Sequence, residues 1–318
     1  ERFAARDLTP IPVQMFSMAE VVEAFRHMAQ ARHIGKIVLT VDNQPLPVTV
    51  TPDSPVRADG AYLITGGLGG LGLTVARWLV ERGARHLVLT GRRAANDAAR
   101  AAVRELEAAG AEVQVATADA ADYEAMASLI NALDETVPLR GVIHAAGLLD
   151  DSLLTQMSVT QFQRALTPKV DGAWNLHLLT QDKPLDFLVL FSSVTALLGT
   201  PGQGNYAAAN AYMDALAHFR QAQGLPALSL NWGPWSDVGL AAAQANRGDR
   251  LAARGLGSLS PDEGIHVLDA LLANNAAAQI GVMAFDPVQW AQTYPAAAQS
   301  SLLAGLAQAE VPAVHTAG

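Results

Sequence analysis

The chain has 318 residues, 50% of them hydrophobic and only 16% charged against a usual charged share of about 25%, which excludes a disordered chain and leaves ample material for one or two buried cores. A formal net charge of −9 makes nucleic acid a poor partner, and zero cysteines exclude disulfides, thiolate metal sites and cysteine nucleophiles, as fits a reducing, cytoplasmic setting. No apolar run reaches the ~18 residues of a membrane span, since Phe187 to Gly199 is broken by Ser192, Ser193 and Thr195, and the Glu-Arg-Phe-Ala start has no signal pattern, so the sequence reads as a soluble piece of something longer.

In chain order, residues 17–31 have a helical pattern and 36–41 form an apolar run. Residues 42–59 carry Pro45, Pro47, Pro52 and Pro55 and read as an extended linker. From Ala61 onward, β-branched or leucine-rich runs alternate with Ala-rich stretches of helical length, which predicts a parallel sheet covered by helices on both faces. The predicted strands are 61–65, 86–90, 112–117, 140–145, 186–192, 226–231 and 279–285; the predicted helices are 70–82, 95–109, 122–135, 158–180, 204–223 and 261–273. The fold class is therefore α/β, a doubly wound Rossmann-type sheet whose ligands gather at the carboxyl ends of the strands. Residues 293–318 drift into Ala, Gln and Ser and read as a tether; no internal repeat of solenoid length is present.

The first strand runs into Thr65-Gly66-Gly67-Leu68-Gly69-Gly70-Leu71-Gly72 and then a helix, the context in which backbone N–H groups and a helix N-terminus cradle a pyrophosphate. After the second strand stands Gly91-Arg92-Arg93, where a carboxylate would grip the ribose of NADH. Guanidinium groups there pair with a 2'-phosphate and favour NADPH, with a solvated surface pair as the competing reading. Asp119, past the third strand, can accept from an adenine amine or cap the helix that starts near Asp122.

Reduction of a ketone leaves a developing alkoxide that needs a proton. Tyr206, in Gly204-Asn205-Tyr206-Ala207-Ala208-Ala209-Asn210 at the start of a helix, is the candidate donor. A free phenol titrates near ~10, so a cation such as Lys169 must ease the transfer. Ser193 at a strand end can hold the carbonyl, and Asn210, one turn after Tyr206, can order a relay water or the lysine. Singly, each has an ordinary reading, Tyr206 as a helix-packing aromatic and the others as turn or surface residues, and that reading is the better one for all but Tyr206; together they fit one reaction. No metal is called for.

These motifs resemble the short-chain dehydrogenase/reductase superfamily, and more closely the ketoreductase domains of modular polyketide synthases. The resemblance runs from about Asp59 to Trp290 and is carried by Thr65 to Gly72, His144-Ala145-Ala146-Gly147, Lys169-Val170-Asp171-Gly172-Ala173, Phe191-Ser192-Ser193, Tyr206 to Asn210 and Asn231-Trp232-Gly233-Pro234-Trp235. Most of that superfamily places its lysine four residues after the tyrosine; here Asn210 holds that place and Lys169 precedes it, the habit of synthase ketoreductases. The resemblance implies NADPH reduction of a β-keto thioester on the phosphopantetheine arm of an acyl carrier protein. It adds Ala120, Ala145, Ala146, Gly147, Gly233 and Pro234 to the expected cofactor site. Leu149-Asp150-Asp151, Pro201 to Asn205, and Leu198 in place of the tryptophan of A-type members are similar to B-type ketoreductases and imply a D-configured hydroxyl, with Trp235 and Leu240 beside the substrate.

Residues 1–42 resemble the end of an enoyl reductase, through Phe25-Arg26-His27-Met28 and His33-Ile34-Gly35-Lys36-Ile37-Val38. The expected organisation is thus an enoyl reductase remnant at 1–42, a Pro-rich linker at 43–58, a ketoreductase catalytic subdomain at 59–292 and a linker toward a carrier protein at 293–318. The neighbouring enoyl reductase and structural ketoreductase subdomain of the same synthase are its implied partners. Residues 236–260 read as a lid. Within it Arg247, Arg250 and Arg254 share one face if helical, either solvated or turned to the carrier protein. Two other functions stay open: a free-standing reductase of a small ketone, and a noncatalytic structural ketoreductase.

Overall fold

The structure, a computed structural model, describes residues 13–17, 20–30, 36–40, 55–133, 137–239, 247–273 and 277–295. The chain divides into two compact units, Glu1–Pro52 and Asp53–Gly318. In the first, β1 (Val13–Ser17) and β2 (Lys36–Thr40) pair in parallel, joined through helix α1 (Val21–Ala29). The sequence reading contains α1 and an apolar run at β2 but no β1, whose Val13-Gln14-Met15-Phe16-Ser17 mixes polar with apolar residues.

The second unit holds a seven-stranded parallel sheet in the order β10-β8-β7-β6-β3-β4-β5. These strands are β3 (Ala61–Thr65), β4 (His86–Gly91), β5 (Glu112–Thr117), β6 (Leu139–His144), β7 (Phe187–Ser193), β8 (Leu228–Trp232) and β10 (Gln279–Val282). β3, β7 and β8 are buried along almost their whole length, as their near-continuous apolar runs require for a sheet covered on both faces. The chain leaves β3 in both directions, to β4 and β5 on one side and to β6, β7 and β8 on the other, so the crevice for ligands opens above the carboxyl ends of β3 and β6.

One face packs under α2 (Gly70–Glu81) and α3 (Asp97–Ala108), with Ile64, Leu79, Leu89 and Val189 in its core. The other packs under α4 (Tyr123–Asn131), α6 (Val170–Thr180) and α8 (Gly204–Ala222), around Leu63, Met126, Leu188 and Met213. Local chemistry sets the helix starts: Asn96 caps α3 by accepting from Ala99 N, and Ser158 with Gln161 forms a capping box on α5 (Val159–Leu166).

Two expectations need correction. The predicted helix 158–180 is two helices, α5 and α6, because Pro168 cannot continue the backbone ladder; Lys169 sits in the break. The predicted strand 279–285 leaves the main sheet after Val282, and β11 (Ala284–Phe285) pairs antiparallel with β9 (Leu256–Gly257). The end of the predicted linker is anchored: Val56 is buried in the first core, and the Arg57 N–H donates to the Tyr62 hydroxyl at 2.6 Å. Most of that linker, and the tether from residue 296 onward, lie outside the described residues. Helix α7 (Thr195–Leu198), the helix Arg247–Ala252 (α9) and the helix Pro287–Thr293 (α11, after α10 at Pro261–Ala273) are additional to the sequence reading.

Candidate active site

A cleft of about 670 Å³ opens over the carboxyl ends of β3, β4, β6, β7 and β8. At one end is the glycine loop. Gly69 is the N-cap of α2 and supplies no side-chain cap, and the first turn carries no acid, so the leading N–H groups of the helix are left for an anion. Gly66 has φ +70°, and a Cβ there would come within 2.9 Å of the Ala145 and Ala146 backbone. Thr65, Gly66, Leu68, Gly69, Gly70 and Leu71 line the cleft; Gly67 lies beneath it, packed on Ile64 O and Leu89.

Beyond the loop, Arg92 and Arg93 line the rim, exposed and without an ion pair among the described residues. Asp119 lines it as well, accepting from Ala121 N at 3.1 Å, while the cap of α4 is Asp122, which accepts from Ala125 N at 3.0 Å. Ala120 is held there by Asn175 of α6, whose Nδ2 donates to its carbonyl at 3.1 Å. Ala145, Ala146, Gly147, Gly233, Pro234 and Trp235 complete this part of the wall. This glycine cradle and open helix end fit the diphosphate of a dinucleotide.

At the other end, Ser193, Lys169 and Tyr206 line the same cleft. Lys169 is buried; its Nζ donates to Phe191 O at 2.8 Å and lies 5.3 Å from the centre of the Tyr206 ring. Burial pushes its pKa down to about 7, a fall partly opposed by the Asp214 carboxylate. Ser193 Oγ accepts from Thr195 N at 3.2 Å and lies 3.1 Å from Thr195 Oγ1. Asn210 is on the Tyr206 face of α8, as its spacing requires, but does not line the cleft: Nδ2 donates to Tyr206 O at 2.7 Å, and Oδ1 is buried without a protein partner.

The loop after β6 is fastened to the start of α8. Gln203 Nε2 reaches both carboxylate oxygens of Asp151, at 3.0 and 3.1 Å, and Asn205 Nδ2 donates to Asp150 O at 2.9 Å. Asp150 also pairs with Arg164 at 3.0 Å. Of this group Leu149 and Gln203 line the cleft; Asp150, Asp151, Pro201 and Asn205 do not, and Asp151 and Pro201 are exposed. Leu240 lies outside the described residues, as does most of the central part of the expected lid. Val238 and Gly239 line the cleft, with Val238 against Gly70. Arg254 is not on a helical face shared with Arg250: the helix ends at Ala252, and Arg254 Nη1 donates to the Tyr294 hydroxyl at 3.0 Å.

Sequence reasoning missed several contributors. His144 ends β6 and shares a 2.6 Å hydrogen bond with Thr65 Oγ1; burial, reinforced by Lys169, pushes its pKa down to about 3, so the ring is neutral. Phe191 and Trp232, also missed, form an aromatic wall with the expected Trp235, with ring centres 5.6 and 5.0 Å apart. Their sequence signal is the pair of motifs Phe191-Ser192-Ser193 and Asn231 to Trp235, at and just beyond the ends of β7 and β8. Among the described residues no group of three metal-ligating side chains occurs, and no helix is long and apolar enough to cross a membrane.

The KR domain family matches residues 60–237, the stretch that builds this cleft from β3 to the start of the lid. The chain belongs to the KR domain family. This KR domain is 40% identical over 303 residues to a phenolphthiocerol/phthiocerol polyketide synthase of Mycobacterium tuberculosis, a match that covers 94% of the chain and 14% of that protein. It is 42% identical over 270 residues to the erythronolide synthase EryA2 of Saccharopolyspora erythraea, covering 84% of the chain and 7% of the relative. A solved A1-type ketoreductase superposes with a TM-score of 0.77 at 40% identity, over 84% of this chain and 55% of that one. The chain thus spans a small fraction of the synthases it matches, and the fold is that of ketoreductases from modular polyketide synthases.

Proposed function

We propose that this KR domain reduces the β-keto group of an acyl thioester, carried on the phosphopantetheine arm of an acyl carrier protein, to a β-hydroxyl with NADPH. The observation that carries the reading is the convergence of Tyr206, Ser193 and the buried Lys169 at one end of a cleft whose other end is an open helix N-terminus beside two arginines that form no ion pair among the described residues.

The N–H groups at the start of α2 and the glycine loop hold the diphosphate, and Arg92 and Arg93 receive the 2'-phosphate. NADPH, when bound, supplies the hydride. Ser193 Oγ donates to the substrate carbonyl, and Tyr206 delivers the proton that neutralises the alkoxide oxygen. The Lys169 ammonium, 5.3 Å from the phenol ring, stabilises the phenolate left behind. Asn210, tied to Tyr206 O, offers its buried Oδ1 to a water that returns the proton to Tyr206. The aromatic wall of Phe191, Trp232 and Trp235 excludes water from one side of the reacting centre.

The product is assigned the D configuration. Supporting this are the Leu149-Asp150-Asp151 loop, fixed by Gln203 and Asn205 where it can bias entry of the pantetheine arm, and Leu198 eight residues before Tyr206. The 40% identical A1-type ketoreductase carries the opposite class label, so product chirality is part of the test. The assigned organisation follows the sequence reading: an enoyl reductase remnant at 1–42, a linker at 43–58, the catalytic subdomain at 59–292 and a linker toward the carrier at 293–318. The enoyl reductase and structural subdomain of the same synthase are the neighbouring partners.

Incubation with NADPH and a β-ketoacyl N-acetylcysteamine thioester, followed by loss of dihydronicotinamide absorbance and chiral analysis of the product, tests this. Tyr206→Phe is expected to lower kcat by roughly 10²–10⁴-fold while leaving NADPH binding intact. Turnover persisting near the parent rate in that variant would remove the assignment.

A further inference from the structure

Behind Ser193 and Lys169 lies a closed polar cluster that none of these roles uses. Asp214 stands on α8, eight residues after Tyr206 and four after Asn210, so the three share a helix face. Its buried carboxylate accepts from Ser229 Oγ at 2.6 Å and from Asn231 Nδ2 at 2.8 Å. Both donors lie on β8 and are themselves fully buried. Asn231 Nδ2 also reaches Ser192 Oγ at 3.0 Å and the Ser193 carbonyl at 3.2 Å, and its Oδ1 accepts from Gln279 Nε2 at 2.9 Å.

A carboxylate held among neutral donors in an apolar interior costs several kcal/mol unless a cation offsets it. The buried cation joined to this cluster is Lys169: its Nζ donates to Phe191 O, next to the Ser192 whose Oγ accepts from Asn231, and among the described residues it makes no direct ion pair, while the Asp214 charge favours its ammonium. Among the described residues, the other titratable groups around Lys169 are His144 on β6, which is neutral, and Tyr206 on α8; β7 presents the Phe191 carbonyl, and Asp119 lines the same cleft from the loop after β5. Asp171, two residues further along α6, acts on Tyr212 rather than on Lys169.

We propose that Asp214 is a positioning residue for the reduction: its charge holds Lys169 as the ammonium beside Tyr206, and its hydrogen bond to Asn231 fixes the strand end that carries Ser193. This rests on the reading of Tyr206, Ser193 and Lys169 given above. It assigns a function to Ser229 and Asn231, two polar residues in an otherwise apolar buried strand.

The test is kcat against pH for the parent chain, Asp214→Asn and Ser229→Ala, with NADPH and the N-acetylcysteamine thioester. Parent activity should fall above pH about 7 as Lys169 loses its proton. In Asp214→Asn that alkaline limb should move down by about one pH unit, an approximately tenfold loss on the alkaline side that acidification restores. Ser229→Ala, which removes one hydrogen bond but keeps the charge, should leave the limb in place. A limb unmoved in Asp214→Asn overturns the proposal, whereas a pH-independent loss on top of a moved limb reads the Asn231 contact to the Ser193 strand end.

A second arm needs no turnover. Denaturation of Asp214→Asn, Lys169→Met and the double variant should show coupling, the double variant being more stable than Asp214→Asn alone because no uncompensated cation remains. If Asp214→Asn does not fold, recovery of folding by added Lys169→Met supports the pairing and failure to recover it overturns it. A parent chain without reductase activity at any pH would count against the proposed function, and the denaturation arm would still decide whether Asp214 and Lys169 are coupled.

Discussion

Gly72 gives the sharpest probe of the cofactor end. It lies in the first turn of α2, where the helix passes directly over the glycine loop. A Cβ at this position would stand 2.6 Å from Gly67 Cα and closer still to Gly66 O. That is about 0.8 Å inside the ~3.4 Å of ordinary contact, against backbone rather than the end of a flexible side chain. The loop has little room to yield, because a Cβ at Gly66 would stand within 2.9 Å of the Ala145 and Ala146 backbone and one at Gly67 2.7 Å from Ile64 O. Gly72→Ala must therefore push the loop and the helix N-terminus apart, at an overpacking cost of roughly 1–3 kcal/mol. The displaced N–H groups are those aimed at the diphosphate, so NADPH binding should weaken by about 10–100-fold, equivalent to ~1.4–2.8 kcal/mol. Fluorescence titration with NADPH, paired with thermal unfolding with and without the nucleotide, reads both effects. Gly110→Ala is the control: φ is +91° and nothing lies within 4 Å, so it should cost ~1 kcal/mol of stability and leave the dissociation constant unchanged. Gly72→Ala binding NADPH as tightly as the parent would refute the assignment of this loop as the diphosphate cradle.

Two further predictions concern charge. Replacing Arg92 and Arg93 together by Gln should weaken NADPH roughly 10–100-fold and leave NADH unaffected, since a charged hydrogen bond contributes ~1.5–3 kcal/mol; a preference for NADPH that survives would clear these residues of the role. His144, whose folded pKa of about 3 lies below its ordinary 6.5, binds fewer protons folded than unfolded, so its contribution is complete above pH 6.5 and is lost as pH falls toward 3. Urea denaturation across that window should show His144→Asn losing less stability with acid than the parent, by up to ~1.4 kcal/mol per pH unit, and parallel curves would count against a buried neutral imidazole.

How far the sequence carries depends on whether a feature is local. The Thr65–Gly72 loop, the strand-end Ser193 and the helix-start Tyr206 are legible because each follows from the residues beside it: glycine where backbone must approach, a polar residue where an apolar strand stops. Lys169 is identifiable by its motif, yet its placement is not, because a helical pattern from 158 to 180 hides the break at Pro168 that delivers its side chain to Phe191 O. The sheet is legible up to β8, whereas the split at Met283 reflects where β10 runs out of partner at Val282↔Trp232 and β9 becomes available, a fact of tertiary pairing with no local signal.

The Asp214 cluster lies between these cases. Its members come from α8, β7, β8 and β10, and no spacing joins them, but the sequence of β8 carries a trace: Ser229 and Asn231 interrupt an apolar run that a fully buried parallel strand would otherwise keep continuous. Residues of one parity on a strand face one side of a sheet, so two polar residues two apart demand a shared partner on the helix packed against that side. On this fold that helix is α8, and the acid that answers them stands two turns from Tyr206. Polar residues out of pattern in a buried strand therefore point to the support of a catalytic helix, even where the catalytic residues themselves lie on other elements.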